Sequence, residues 1–160
     1  MESGPTTSLP TSRPVFIAGA VLGIGLGGFL DGILLHQIVQ LHAMLSARLP
    51  LDTMHNMKTN MTADGLFHGV MWLVTLAGVA LLFRAGKHAD ALWSGRVLTG
   101  AMIFGWGLFN VVEGVIDHHI LHVHHVVERL GPSMWDWVFL GVSLLLIAAG
   151  WYIAKQPRRT

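Results

Sequence analysis

Residues 31–42 read DGILLHQIVQLH, and residues 113–124 read EGVIDHHILHVH. The two segments align without a gap, so that an acid, a glycine, two histidines and an isoleucine fall at equivalent positions. Each segment ends a long apolar stretch, and a second apolar stretch follows each of them. This pattern predicts two repeated halves, at about residues 14–84 and 95–154, with two helices in each half.

The composition is typical of a membrane protein. Apolar residues make up 52% of the chain and charged residues 12%, whereas a soluble domain carries about 25% charged residues. The chain has no cysteine, which excludes disulfides, iron–sulfur clusters, thiolate zinc sites and cysteine nucleophiles. A net charge of +1 gives no basic surface for nucleic acid, so we expect no nucleic-acid partner. The unusual feature is the presence of ten histidines.

Four apolar stretches are long enough to cross a bilayer as helices, which takes about 20 residues. They are Val15–Leu45, Ala63–Phe83, Val97–His122 and Trp135–Ala154. We predict an all-α fold, an integral membrane four-helix bundle whose two repeated two-helix units are related by a pseudo-two-fold axis along the membrane normal. The predicted organisation is a disordered cytoplasmic tail at 1–13, a single four-span domain at 14–154 and a second cytoplasmic tail at 155–160.

Basic residues are distributed unevenly between the two ends of the spans. Seven lie on the side that holds both termini and the middle loop, whereas three, Arg48, Lys58 and Arg129, lie on the other side. Cytoplasmic loops carry the excess of Lys and Arg, so we predict that both termini are cytoplasmic. Nine of the ten histidines then lie in the outer half or the outer loops, and His88 alone is cytoplasmic.

Ionisable residues inside a span cost roughly 2.5–3.5 kcal/mol each and usually face the protein interior, where they have a function. The weaker alignment of the second and fourth spans pairs two of them, Asp64 and Asp136. At about 100° per residue, Glu113, Asp117 and His124 lie on one side of the third helix and predict a polar stripe there. A structural alternative is a hydrogen-bonded network of histidines and carboxylates that only holds the bundle together.

Three helices bring a histidine and a carboxylate each to the outer half of the bundle. Nitrogen and oxygen donors without thiolate suit copper, iron, zinc or manganese. We predict a His/carboxylate transition-metal site, with copper or iron favoured over zinc, and we expect His36, His68 and His118 as direct ligands. Whether His119 and His122 are ligands or lie at the headgroup level is left open. The predicted metal-site residues are Asp31, His36, His42, Asp64, His68, Glu113, Asp117, His118, His124 and His125.

Several motifs carry a resemblance to a known family. They are GGFLDGILLHQ at residues 27–37, DGLFH at 64–68 and FNVVEGVIDHH at 109–119, with HH at 124–125 and WD at 135–136. With these motifs the chain resembles the domain of unknown function 2243 family, predicted multi-pass bacterial membrane proteins, from about Pro14 to Ala154. The resemblance implies four spans in a bacterial membrane, which we take to be the inner (plasma) membrane, and it implies no activity.

Three functions compete at this point. The first is an integral membrane metalloprotein with its metal near the periplasmic side, performing redox or oxygen chemistry. The second is a b-type cytochrome with His36 and His118 as axial ligands of haem b. The third is a copper or zinc handling or delivery protein without catalysis. Whether the chain is an enzyme stays open. The expected partners are the lipid bilayer, a respiratory-chain or periplasmic metal partner, and a second copy of the chain in a homo-oligomer.

Overall fold

The computed structural model describes residues 11–88 and 91–155, and four long helices dominate this part of the chain. They are α1 (Arg13–Asp31), α2 (Met54–Gly86), α3 (Gly95–Glu113) and α4 (Met134–Lys155). The predicted tails at 1–13 and 155–160 lie outside the described residues except at positions 11–13 and 155. The all-α fold is therefore confirmed, whereas the pseudo-two-fold symmetry of the whole bundle stays a prediction.

All four helices are long and apolar enough to cross a membrane, with spans at Arg13–Ile38, Met54–Gly86, Gly95–Ile120 and Met134–Lys155. Two predicted boundaries were wrong. The first span ends at Ile38 and not at Leu45, and the second begins at Met54 and not at Ala63. The longest helix is consequently α2, with 33 residues, because the polar segment before Ala63 continues the helix beyond the apolar stretch.

Helices α1 and α3 are each continued by a π-helical segment, at Gly32–Ile38 and Gly114–Ile120 respectively. A π-helix bonds each residue to the one five positions away, and such segments occur frequently at functional sites. In an α-helix, side chains five residues apart point about 140° away from each other. The wider π turn brings them to the same side of the helix. The two π-segments therefore determine which side chains can meet at this end of the bundle.

The centre of the bundle is the close contact between α1 and α3, while α2 packs on α1 and α4 packs on α3. Glycines permit this approach at two equivalent positions. A Cβ atom on Gly23 would collide with the backbone carbonyl of Met102, and one on Gly105 would collide with that of Ala20. Small residues let membrane helices pack with their backbones close together. The π-segments that follow α1 and α3 are thereby held side by side.

Two residues after each π-segment the backbone enters the left-handed region, at Gln40 with φ 54° and at His122 with φ 46°. Non-glycine residues adopt this conformation at a cost of about 1–3 kcal/mol, and it is found mainly at functional sites. The chain reverses there in both halves and folds back across the end of the bundle. The two returning loops bond to each other, since Ala47 donates its amide hydrogen to the carbonyl of Val123 at 3.0 Å.

Candidate metal centre

His36 lies in the first π-segment, between two carboxylates. Its Nδ1 is 2.9 Å from Oδ1 of Asp64 on α2, and its Nε2 is 3.3 Å from Oδ2 of Asp31 at the end of α1. All three side chains are buried. Asp31 and His36 are five residues apart, so they meet because the helix is a π-helix at this point.

His118 has the same surroundings in the second half. Its Nε2 is 3.0 Å from Oε1 of Glu113, and its Nδ1 is 3.3 Å from Oδ1 of Asp136 on α4. Glu113 and His118 are again five residues apart across the start of a π-segment. Each half thus places a buried histidine between one carboxylate of its first helix and one of its second helix.

The two returning loops each contribute one more histidine, His42 and His124. Nδ1 of His42 is 3.1 Å from the carbonyl oxygen of Val126, and Nδ1 of His124 is 3.1 Å from that of Met44. Because a carbonyl can only accept, each Nδ1 carries the hydrogen and donates it. The Nε2 atom of His42 then has no hydrogen-bond partner and is available to a metal ion, whereas Nε2 of His124 faces Oε1 of Glu113 at 2.8 Å. Each loop orients the histidine of the other loop.

The two aspartates of the outer helices also fix the loops. Asp64 accepts a hydrogen bond from the backbone amide of Met44 at 2.9 Å, and Asp136 accepts one from the amide of Val126 at 2.9 Å. A carboxylate that orients a metal-binding imidazole is a recurrent arrangement in metalloproteins. Asp64 and Asp136 therefore hold both the π-segment histidines and the loop backbone.

Four imidazole rings meet at the end of the bundle. Ring centroids are 4.5 Å apart for His36 and His42, 4.6 Å for His42 and His124, and 4.9 Å for His118 and His124. Ring nitrogens and carboxylate oxygens form two groups here, and within each group the donor atoms lie within 4.8 Å of one another. The first group is His36, His42 and His124, and the second is Glu113, His118 and His124. Together with Asp31, these residues are the metal cluster of the following sections.

The electrostatic environment differs between the two loop histidines. Burial, together with the neighbouring rings of His124 and His36, lowers the pKa of His42 to about 3, so this ring is neutral. Burial also disfavours the charged form of His124, but its hydrogen bond with Glu113 outweighs this effect and raises the pKa of His124. Within the described part of the chain, the ion pairs of the site carboxylates are all with histidine.

Most of the predicted metal-site residues come together in the structure. His125 lies at the edge, with its Nδ1 3.5 Å from Asp136. His68 and Asp117 belong to neither of the two groups. The residues that meet are Asp31, His36, His42, Asp64, Glu113, His118 and His124.

His68 and Asp117 each have surroundings of their own. Nδ1 of His68 bonds to the carbonyl of Asp64 on its own helix at 2.8 Å, and the ring stacks on Phe29. Asp117 was expected on one stripe with Glu113 because the third helix was treated as α-helical throughout. The π-segment puts His118 beside Glu113 instead. Asp117 is partly exposed and lies near enough to Glu113, His118 and His124 to interact with them electrostatically, but it is in neither group.

Sequence reasoning left Asp136 out of the predicted site, although Asp136 makes the same contacts as Asp64. The weak alignment of the second and fourth spans was the signal that could have found it. His119 bonds through Nδ1 to the carbonyl of Gly114 and packs against Trp137. His122, two residues after the second π-segment, has a left-handed backbone conformation. Neither of these histidines belongs to the two groups.

A cleft of about 640 Å³ lies beside the metal cluster, between the two returning loops. His42 forms part of its wall, together with the polar side chains of Gln40, Ser46, Glu128 and Arg129. Such a polar cleft is a route by which water or a hydrated ion reaches the buried ring of His42.

The comparisons with curated proteins and with solved structures find no match. A family model described as a predicted membrane protein, DUF2243, matches residues 18–157. The matched region contains the whole metal cluster and nearly all of the four spans. This chain therefore belongs to the DUF2243 family of predicted membrane proteins.

Proposed function

We propose that this protein is an integral membrane metalloprotein that binds transition-metal ions at the metal cluster and uses them for redox or oxygen chemistry. The membrane domain brings ligands from both halves together and shields them from lipid. The polar cleft beside His42 gives the cluster access to water.

Buried polar atoms without a hydrogen-bond partner carry this proposal. At the cluster, Nε2 of His42 and Oε2 of Glu113 have none, and Nε2 of His36 and of His118 make no well-formed hydrogen bond although each faces a carboxylate oxygen at 3.3 Å and 3.0 Å respectively. A buried polar atom left without a partner costs about 1–3 kcal/mol, so several in one place require an explanation. All of them are atoms that can donate an electron pair to a metal ion, which would satisfy them together.

The surroundings of the imidazole rings support the same conclusion. A neutral imidazole has one N–H group, yet both nitrogens of His36, His118 and His124 face oxygen atoms that accept. A second proton on each ring would let both nitrogens donate to the oxygen atoms that they face. Two such imidazolium rings about 5 Å apart, however, would repel each other by about 3 kcal/mol at an effective dielectric of 20. Metal ions at Nε2 relieve the same conflict while leaving Nδ1–H to the outer oxygens.

The donor set indicates the class of metal. Imidazole nitrogen and carboxylate oxygen suit iron, copper(II), manganese and zinc, whereas copper(I) prefers thiolate and thioether sulfur. The chain has no cysteine to supply a thiolate, and both groups are built from imidazole and carboxylate donors. We favour iron or copper because these metals also supply redox chemistry, with zinc as the alternative.

The haem alternative fits the geometry less well. Haem between His36 and His118 needs open space between the two rings, but the rings of His42 and His124 lie there, 4.5 Å and 4.9 Å from them. A metal handling protein would hold its ion exchangeably, and loss of the metal on dialysis would favour that function over an enzyme.

We place the cluster on the periplasmic side of a bacterial inner membrane because the basic residues lie mainly at the other end of the spans. A cysteine introduced at Ala47, in the first returning loop, is expected to react with a membrane-impermeant maleimide in intact cells. A cysteine at Ser94, just before α3, is expected to react only after permeabilisation. The reverse pattern would place the cluster in the cytoplasm.

Metal analysis of protein purified without a histidine tag tests the proposal. We expect at least one equivalent of iron, copper or zinc in the wild type and a clear loss in His36→Ala and in His118→Ala. His88→Ala is the matched control, because His88 lies at the opposite end of the spans and keeps full metal. A wild type without metal, or equal metal in all four proteins, would contradict the proposal.

A further inference from the structure

The metal cluster is wider than the coordination sphere of one ion. Two atoms bound to the same ion at about 2.1 Å can be at most about 4.2 Å apart. The donor atoms form two groups, each within 4.8 Å, and these groups have only His124 in common. His36 and Glu113 never occur in the same group. The two π-segment histidines, His36 and His118, fall in different groups, so neither group of close donor atoms contains both.

Each half supplies a similar set of donors. The first half has His36, His42 and Asp31, whose carboxylate lies 3.3 Å from the His36 ring. The second half has His118, His124 and Glu113, whose carboxylate lies 3.0 Å and 2.8 Å from the two rings. Ligand atoms at about 2.1 Å from one ion are roughly 3.0–3.4 Å apart when their bond angles are 90–109°. The separations in each half are close to this range.

His124 belongs to both groups, but its Nε2 can bind only one ion. That atom is 2.8 Å from Oε1 of Glu113, while Nδ1 is committed to the carbonyl of Met44. His124 is therefore assigned to the second half. His42 remains with the first half, where its Nε2 has no hydrogen-bond partner and its ring lies 4.5 Å from that of His36.

The charges also match two ions. Asp31, Asp64, Glu113 and Asp136 bring four carboxylates, and in the described chain their ion pairs are with histidines alone. Histidines that bind metal are neutral. One divalent ion would then balance two of these four carboxylates and two divalent ions all four, while Asp117, which interacts electrostatically with Glu113 and His118, is partly exposed. Buried charges are rarely left unpaired.

We propose that the metal cluster binds two metal ions, one held by His36 and His42, with the Asp31 carboxylate 3.3 Å from the His36 ring, and one held by His118, His124 and Glu113. This inference rests on the proposed function. Asp64 and Asp136 orient the π-segment histidine of each site. The two ions would lie side by side beneath the two returning loops, next to the polar cleft.

Titration with Co²⁺ tests the number of ions. Untagged protein in detergent is stripped with a chelator and titrated while the visible absorption of bound Co²⁺ is followed. We expect saturation at two equivalents in the wild type. Saturation at one equivalent would overturn the second ion but leave the proposed function standing. No binding of Co²⁺, together with no metal in the purified protein, would contradict the proposed function itself.

Variants in each half test the assignment of the ligands. His36→Ala and His118→Ala are each expected to saturate at one equivalent, with circular dichroism confirming an unchanged helix content. Loss of both equivalents in either folded variant would contradict one ion per half. If these variants do not fold, the wild type loaded with Cu²⁺ decides the point. Two Cu²⁺ ions this close give a half-field electron paramagnetic resonance signal, and isolated ions give none.

Discussion

In the first half of the molecule, His36 lies between Asp31 and Asp64. In the second half, His118 lies between Glu113 and Asp136, with similar distances and through the same pair of ring nitrogens. The contacts that recur are those that hold and orient histidines. Because a purely structural network has no need to reproduce the same ring orientation twice, the recurrence indicates that the orientation itself matters.

The halves differ at three positions around this common core. Glu113 is one methylene longer than Asp31 and reaches two rings, His118 and His124. Asp117 stands where the first half has Leu35, and His68 stands where the aligned fourth span has Leu140. The repeated residues are therefore the candidates for metal binding, and the unrepeated ones are the candidates for making the two sites unequal.

The largest effect is expected from the equivalent glycines between α1 and α3. Gly23→Ala and Gly105→Ala each drive a methyl group into the facing backbone and should cost about 1–3 kcal/mol of stability. In the double variant, most of the protein should be unfolded. Thermal unfolding in detergent, followed by circular dichroism, measures this cost.

Two other glycines provide matched controls for that comparison. A Cβ atom on Gly69 of α2 or Gly141 of α4 would meet nothing within 4 Å. Gly69→Ala and Gly141→Ala should leave the unfolding temperature unchanged or raise it, because alanine favours helix by about 1 kcal/mol over glycine. Equal behaviour of all four variants would mean that α1 and α3 are not in close contact.

Asp64→Asn and Asp136→Asn should weaken metal binding by a similar factor. Each change keeps the size of the side chain but removes the charge that orients the histidine, and outer partners of this kind typically contribute 10–100-fold in affinity. Competition with a metal-binding dye measures the affinity. If only Asp64→Asn had an effect, the second half would not take part in metal binding.

A smaller effect is expected from exchanging the two inner carboxylates. Glu113→Asp should shorten the reach to His118 and His124 and weaken binding several-fold. Asp31→Glu lengthens a side chain that has a single imidazole contact, and it should change the affinity less. The same dye competition compares the two variants, and a stronger effect of Asp31→Glu would reverse the proposed difference between the halves.

The smallest effect is expected from His68→Leu, which gives α2 the residue that α4 carries at Leu140. His68 is outside the two groups, and its Nδ1 bonds to its own helix. Full metal content and a stability within about 1 kcal/mol of the wild type are the expected results. Loss of metal in His68→Leu would restore this residue as a ligand, as the sequence alone suggested.

The number of spans and the presence of histidines and acids at one end of them were readable from the sequence, whereas the pairs His36–Asp64 and His118–Asp136 were not. Hydropathy predicts spans, and the repeat of DGILLHQIVQLH shows which residues are equivalent. The π-segments were not predictable, because the glycines that follow Asp31 and Glu113 resemble the many other glycines inside these spans, where the helix stays α. An α-helical projection therefore placed Asp117 beside Glu113, whereas the π turn brings His118 there.

The positions of His42 and His124 depend on interactions that sequence patterns do not encode. Both were assigned to long helices, but the helices end at Ile38 and Ile120 and the chain reverses at a left-handed residue. Hydrogen bonds between the two loops then determine where the rings point. Contacts between loops distant in sequence have no local signal, so only the structure reveals them.

X-ray absorption at the K-edge of the metal in the purified wild type tests the central claim most directly, namely that imidazoles and carboxylates of both halves bind the metal. We predict nitrogen and oxygen ligands at about 2.0–2.2 Å, with the outer-shell scattering of about two imidazole rings per ion and no sulfur at about 2.3 Å. A spectrum without imidazole scattering, or with sulfur ligands, would contradict the account.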